Sequence, residues 1–96
     1  MVKFSIPGMA SKQYDQVWKD LRESGNENPK GLLHHVGAQG KNNIWAVVDI
    51  WETEESFNDF AQILMPILTK NGIASDKAQP EILPVHYLYS REKVSI

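Results

Sequence analysis

The chain opens on a short alternation. Val2, Phe4 and Ile6 are apolar, and Lys3 and Ser5 between them are polar. That period of two predicts a half-buried strand, closed by Pro7-Gly8. From Tyr14 the period changes. Tyr14, Val17, Trp18 and Leu21 stand at i, i+3, i+4 and i+7, which predicts one apolar stripe of a helix capped at Ser11 and stopped at Gly25. Asp15, Lys19 and Glu23 fall on its other face, where opposite charges can meet. The segment SGNENPKG that follows is a polar turn.

Two strand candidates, GLLHHVGAQ and NIWAVVDIW, flank a Gly-Lys-Asn turn and predict a hairpin. Thr53 then caps a second helix. Glu54 and Glu55 occupy its first turn, where the helix dipole favours anions. Phe57, Phe60, Ala61, Leu64 and Leu68 continue at helical spacing, with Pro66 inside the pattern. A proline there removes an amide donor and crowds the carbonyl of Gln62, so a kink or break is expected. The run from Ile63 to Leu68 has no polar face, which predicts burial on several sides. Gly72 ends the helix and places Ile73 against Leu68 as the apolar partner of a Schellman cap. After a polar linker, EILPVHYLY predicts a last strand, set at a sheet edge by Pro84. The tail SREKVSI carries no assignable pattern.

The order β-α-β-β-α-β, with right-handed crossovers, predicts a ferredoxin-like α+β domain over residues 1–96. Both helices cover one face of an antiparallel sheet with spatial strand order 4-1-3-2. The third strand then poses a problem. Ile44, Ala46, Val48 and Ile50 point one way while Trp45, Val47, Asp49 and Trp51 point the other. Two helices shield one face only, so the Ile44 face needs a second layer. A homodimer joined sheet to sheet supplies one.

Composition narrows the function classes. Ten Lys and Arg against twelve Asp and Glu leave a net charge of −2, with no basic run to suggest a nucleic-acid partner. The absence of cysteine excludes disulfides, a thiolate nucleophile and Cys-based zinc sites. The N-terminal residues lack the apolar stretch of a signal peptide, and the longest apolar run is too short for a membrane span. A cytoplasmic protein without membrane association is the expectation.

The stretch VVDIWETEESF, residues 47 to 57, in a β-α-β-β-α-β chain of this length, resembles the dimeric α/β-barrel superfamily. It is most similar to antibiotic biosynthesis monooxygenase-like domains, where a strand ending in Trp-Glu runs into an acidic, capped helix. The resemblance rests on Trp51-Glu52-Thr53-x-Glu55-x-Phe57 and covers the order of elements along the chain. It implies a homodimer with a small pocket in each subunit between sheet and helices. Some relatives oxidise phenolic or quinol-like substrates with molecular oxygen and neither metal nor flavin. Others degrade haem, with a tryptophan at the position matching Trp51 lining the pocket and a histidine on the second helix binding iron. No histidine lies between Val36 and His86 here, and Phe60 stands where many monooxygenase-like members carry one. Neither haem nor another cofactor is therefore expected.

The polar candidates can be sorted by geometry. His34 and His35 are neighbours on one strand and point to opposite faces. His86, on the fourth strand, is three strand spacings from the second, roughly 14 Å and too far for shared metal ligation within a subunit. No metal site is expected; a dimer leaves an intersubunit histidine pair open. Asp49 stands in an apolar strand and needs a partner. A hairpin loop of Gly40 to Asn43 would set His34 opposite it, whereas a three- or five-residue loop brings in the His35 side. The acid is either half of a cross-strand structural pair or a general base raised in pKa by apolar walls. Catalytic candidates are thus Asp49, His34 and His86. Trp51, Trp45 and Tyr87 are the candidate pocket residues, while Tyr14 and Trp18 read as core. No Walker loop, dinucleotide fingerprint, HExxH or nucleophile elbow is present. Two functions follow: a cofactor-independent oxygenase for a small aromatic ligand, or a non-catalytic dimeric domain that binds a small ligand or none. A cavity beside Asp49 and Trp51 would separate them.

Overall fold

The computed structural model describes residues 1–89; the tail SREKVSI lies outside them. The elements are β1 (Val2–Pro7), α1 (Ser11–Glu23), β2 (Leu32–Gln39), a 3-10 turn (Lys41–Asn43), β3 (Ile44–Trp51), α2 (Glu54–Lys70) and β4 (Glu81–Ile82). They form one four-stranded sheet in the order β2-β3-β1-β4, with every neighbouring pair antiparallel. This α+β topology is compatible with the expected ferredoxin-like arrangement.

Antiparallel partners share a face, so register decides what meets what. Val2, Phe4 and Ile6 of β1 lie opposite Asp49, Val47 and Trp45 of β3. All six are buried, together with Val17 and Leu21 of α1 and Phe57, Phe60 and Leu68 of α2. Both helices therefore lie on this one face. Phe57, essentially fully buried, packs against Phe4 and Trp51 at ring distances of 6.1 and 5.8 Å. Truncating such a ring to alanine costs roughly 3–5 kcal/mol.

The helix ends follow the local chemistry. Thr53 accepts the Ser56 amide at 3.0 Å, a cap contributing about 1 kcal/mol. Both helices end in Schellman turns. Asn26 N–H reaches Leu21 O at 2.7 Å past Gly25, and Ile73 N–H reaches Leu68 O at 2.9 Å past Gly72. Gly25 and Gly72 both have positive φ, which a glycine adopts without strain. In α1, however, Ser11 is the first helical residue. The cap is Ala10, with no capping side chain of its own; its amide instead donates to Gln13 Oε1 at 2.9 Å.

Three expectations need correction. Helix α2 runs unbroken through Pro66. Pro66 and Gln62 are both exposed, so the carbonyl released by the missing amide faces water rather than the core. Ile63–Leu68 is not buried on several sides either: Ile63 and Pro66 are exposed, and only Leu68 is fully buried. The last strand is two residues long. Glu81 and Ile82 pair with Lys3 and Val2, and Met1 exchanges two 2.8 Å hydrogen bonds with Leu83. Beyond that point Tyr87 and Tyr89 are exposed and belong to no strand.

Candidate functional site

β3 carries an acid inward because its alternation demands it: Trp45, Val47, Asp49 and Trp51 are all buried. Asp49 retains only 5 % exposure, so its oxygens need donors. His35 Nδ1 lies 2.6 Å from Asp49 Oδ1, and Trp51 Nε1 donates to Oδ2 at 3.3 Å. A carboxylate only accepts, so the His35 proton resides on Nδ1. The other ring nitrogen of the neutral imidazole is then an acceptor. It faces the Tyr14 hydroxyl at 2.5 Å. The result is a directed chain: Tyr14 O–H donates to His35 Nε2, and His35 Nδ1–H donates to Asp49.

The hairpin sets this pairing. Gln39 lies opposite Trp45 and His35 opposite Asp49, so the loop has an odd number of residues, Lys41–Asn43 between the facing Gly40 and Ile44. It closes on a 2.7 Å bond from Gly40 N–H to Ile44 O. Asn42 and Asn43 both adopt positive φ within it, a conformation asparagine tolerates better than most residues. The four-residue alternative would have turned His34 inward and His35 out, because a one-residue slip exchanges the faces of a strand. His34 is instead exposed, opposite Ile50. It does not reach the Asp49 site, and neither does His86, which sits exposed in the segment after β4.

A partly open apolar cavity of about 50 Å³ adjoins the chain, lined among others by Tyr14, Trp18, His35, Asp49, Val47 and Phe60. Tyr14 and Trp18 stand one helical turn apart on α1, over β2. Trp18 meets His35 edge-on with ring centroids 5.0 Å apart, and the Tyr14 ring packs on Trp45 at 4.9 Å. Burial raises the Tyr14 pKa above its ordinary 10.0, the Trp18 indole partly offsetting this, while the charges of Asp49 and Asp15 add to it. The phenol therefore remains a donor at neutral pH.

Of the expected pocket residues, Trp51 meets the site through its bond to Asp49 and Trp45 through its packing on Tyr14; neither lines the cavity wall. Tyr87 is 78 % exposed and takes no part in it. Sequence reasoning passed over Tyr14 and Trp18 as site residues, and offered the His35 side only as the alternative for a three- or five-residue loop. Gly37 was the available signal for Tyr14. A Cβ at Gly37 would stand 2.6 Å from Tyr14 Cζ and Oη, and a glycine inside a strand marks a place where another group approaches closely.

No family model matches this chain, and no curated protein matches it.

A second, larger groove of about 410 Å³ lies between the Gly25–Lys30 turn and the start of α2, with Glu55, Asp59 and Lys30 on its walls. Its walls mix polar and apolar groups, with no chain of hydrogen-bonded titratable groups among the described residues. Among the described residues, no three His, Cys, Asp or Glu side chains are grouped to hold a metal ion. No described helix is long and apolar enough to cross a membrane.

Proposed function

We propose that this chain is a homodimeric, monooxygenase-like domain of the dimeric α/β-barrel type. In this reading it oxidises a small phenolic or quinol-like substrate with molecular oxygen and no resident cofactor. The observation that carries it is the pair of buried Asp49 and half-buried His35, whose second ring nitrogen, Nε2, already receives a phenolic hydroxyl beside an apolar cavity. Asp49 fixes the tautomer of His35 and stabilises the imidazolium that forms when His35 takes a proton. A substrate hydroxyl placed on Nε2 would be deprotonated there, and the electron-rich phenolate would pass electrons to oxygen. The substrate loses two hydrogens and gains one oxygen atom; the second oxygen atom leaves as water.

The dimer draws support from the other face of the sheet. Ile44, Ala46, Val48 and Ile50 are only half-buried, and Leu33 and Val36 beside them are exposed. No described element covers these six apolar residues. A second copy laid sheet against sheet would.

The size of the cavity favours a non-catalytic reading. At about 50 Å³ the cavity is a fraction of the roughly 150 Å³ that accommodates benzene in an engineered protein core. An aromatic substrate requires the site to open.

Oxygen uptake on single-ring quinols separates the readings. In the oxygenase, Asp49→Asn and His35→Gln lower turnover about 100-fold or more, the usual scale of general-base catalysis, with the protein still folded. In the non-catalytic domain, uptake never exceeds the uncatalysed rate, and Asp49→Asn changes stability alone. Sedimentation equilibrium tests the dimer: the wild type sediments as two copies, and Val48→Asp, which places a charge on the shared face, dissociates or unfolds it.

A further inference from the structure

We propose that the space now filled by the Tyr14 ring is a binding slot for a single-ring phenol, with Tyr14 acting as its resident occupant. The proposal rests on the reading of Asp49–His35 as a base and specifies the substrate class which that base receives.

Four observations converge on it. The Tyr14 hydroxyl sits on His35 Nε2, the ring nitrogen that Asp49 does not engage, where a substrate hydroxyl would have to be. The floor under the ring is Gly37, and no other residue type fits there while Tyr14 is in place, since even a Cβ would strike the phenol. β2 is thus shaped for a flat ring at that point. The ring is also only half-buried, so part of it already meets solvent. Finally, the indole of Trp45, which packs on the Tyr14 ring, has a buried Nε1–H with no acceptor among the described residues. That leaves a donor for a second ligand oxygen.

Together these explain how a cavity of about 50 Å³ could serve an aromatic ligand. Rotation of the Tyr14 side chain toward solvent joins the volume of its own ring to the existing cavity. A phenol then enters over Gly37, rests against Trp45 and presents its hydroxyl to His35. The freed volume is that of one phenol ring, so the slot matches a single-ring ligand.

The test uses the full chain and 4-nitrophenol, whose phenolate absorbs visible light and whose neutral form does not. Binding is followed by difference spectroscopy for the wild type, Tyr14→Ala, Tyr14→Phe and Tyr14→Ala/His35→Gln, each checked for folding by near-ultraviolet circular dichroism. Tyr14→Ala should bind at least tenfold more tightly than the wild type, with the bound probe showing the phenolate band. Adding His35→Gln should abolish that band. Should Tyr14→Ala not fold, Tyr14→Phe decides. It frees the ring from His35 while keeping its bulk, and should bind several-fold more tightly than the wild type. Affinity no greater than wild type in the folded Tyr14 variants overturns the slot, as does a phenolate band that survives His35→Gln. Tight, His35-dependent binding without oxygen uptake would uphold the slot and remove the oxygenase reading, so the two fail separately.

Discussion

Among the described residues two carboxylates are buried, Asp20 and Asp49, and they are built differently. Asp20, 9 % exposed, accepts hydrogen bonds of 2.9 Å from Asn71 Nδ2 and Gln16 Nε2, with Lys70 Nζ at 3.7 Å. Gln13 Nε2 also donates to the Asn71 carbonyl at 3.1 Å. These contacts bind the C-terminal end of α2 to α1. The amide partners cannot take up or release a proton, and they lead to no cavity. Asp49 has a titratable partner, His35, which continues to a second titratable group, Tyr14, on a cavity wall. One acid is a clasp between helices. The other begins a path along which a proton can be held or moved. Burial alone does not distinguish them; the protonation chemistry of the first neighbour does.

The largest test of that contrast removes the Asp49 carboxylate. Asp49→Ala strands the His35 Nδ1–H and the Trp51 Nε1–H, both deprived of their acceptor. Two orphaned donors in a buried site cost on the order of 3 kcal/mol, measured as a shift in the urea denaturation midpoint at neutral pH.

A smaller change concerns the far end of the path. Tyr14→Phe deletes the hydroxyl bond to His35 and should lower stability by about 1 kcal/mol at neutral pH. It also alters the alkaline limb. The folded Tyr14 pKa is raised above 10.0, so its stabilisation is complete below the unfolded value and is lost as pH rises through the folded one. The wild type should therefore lose its advantage over Tyr14→Phe above about pH 10, read from thermal melts along a pH series.

The smallest effect belongs to the clasp. Asp20→Asn keeps the shape and one acceptor oxygen, so the difference at neutral pH is slight. Its signature is in acid. Hydrogen bonds from Asn71 and Gln16 hold the Asp20 pKa below its ordinary 3.8. The corresponding stabilisation is present above about pH 4 and is lost as pH falls through the folded value. The wild type and Asp20→Asn melting curves should converge below that point, and ligand binding at Tyr14 should be unaffected.

The sequence pattern carries most of the frame. Alternation in Val2 to Ile6 and Ile44 to Trp51, helical spacing from Tyr14 and Phe57, and the cap at Thr53 each correspond to an observed element. The inward direction of Asp49 was also legible, since alternation in β3 leaves it no other face. What was not legible depended on quantities that pattern does not encode. The choice of His35 over His34 turns on two left-handed asparagines in a loop, a difference of one residue in length. Helical spacing puts Tyr14 and Trp18 on an inward face without saying which strand residue they meet. The segment 83–89 has strand-like composition, but a strand requires a neighbour, and β1 engages β4 only at Glu81 and Ile82.

The placement of the indoles has an optical consequence. The chain has three tryptophans, and all three surround the site: Trp51 on Asp49, Trp18 edge-on to His35, and Trp45 against Tyr14. Intrinsic fluorescence of this protein is therefore a local signal. A ligand that enters beside Trp18 and Trp45 should change the emission while the backbone circular dichroism stays constant. A fluorescence transition here is a readout of the Asp49 site first and of unfolding second, so the two probes should be recorded together.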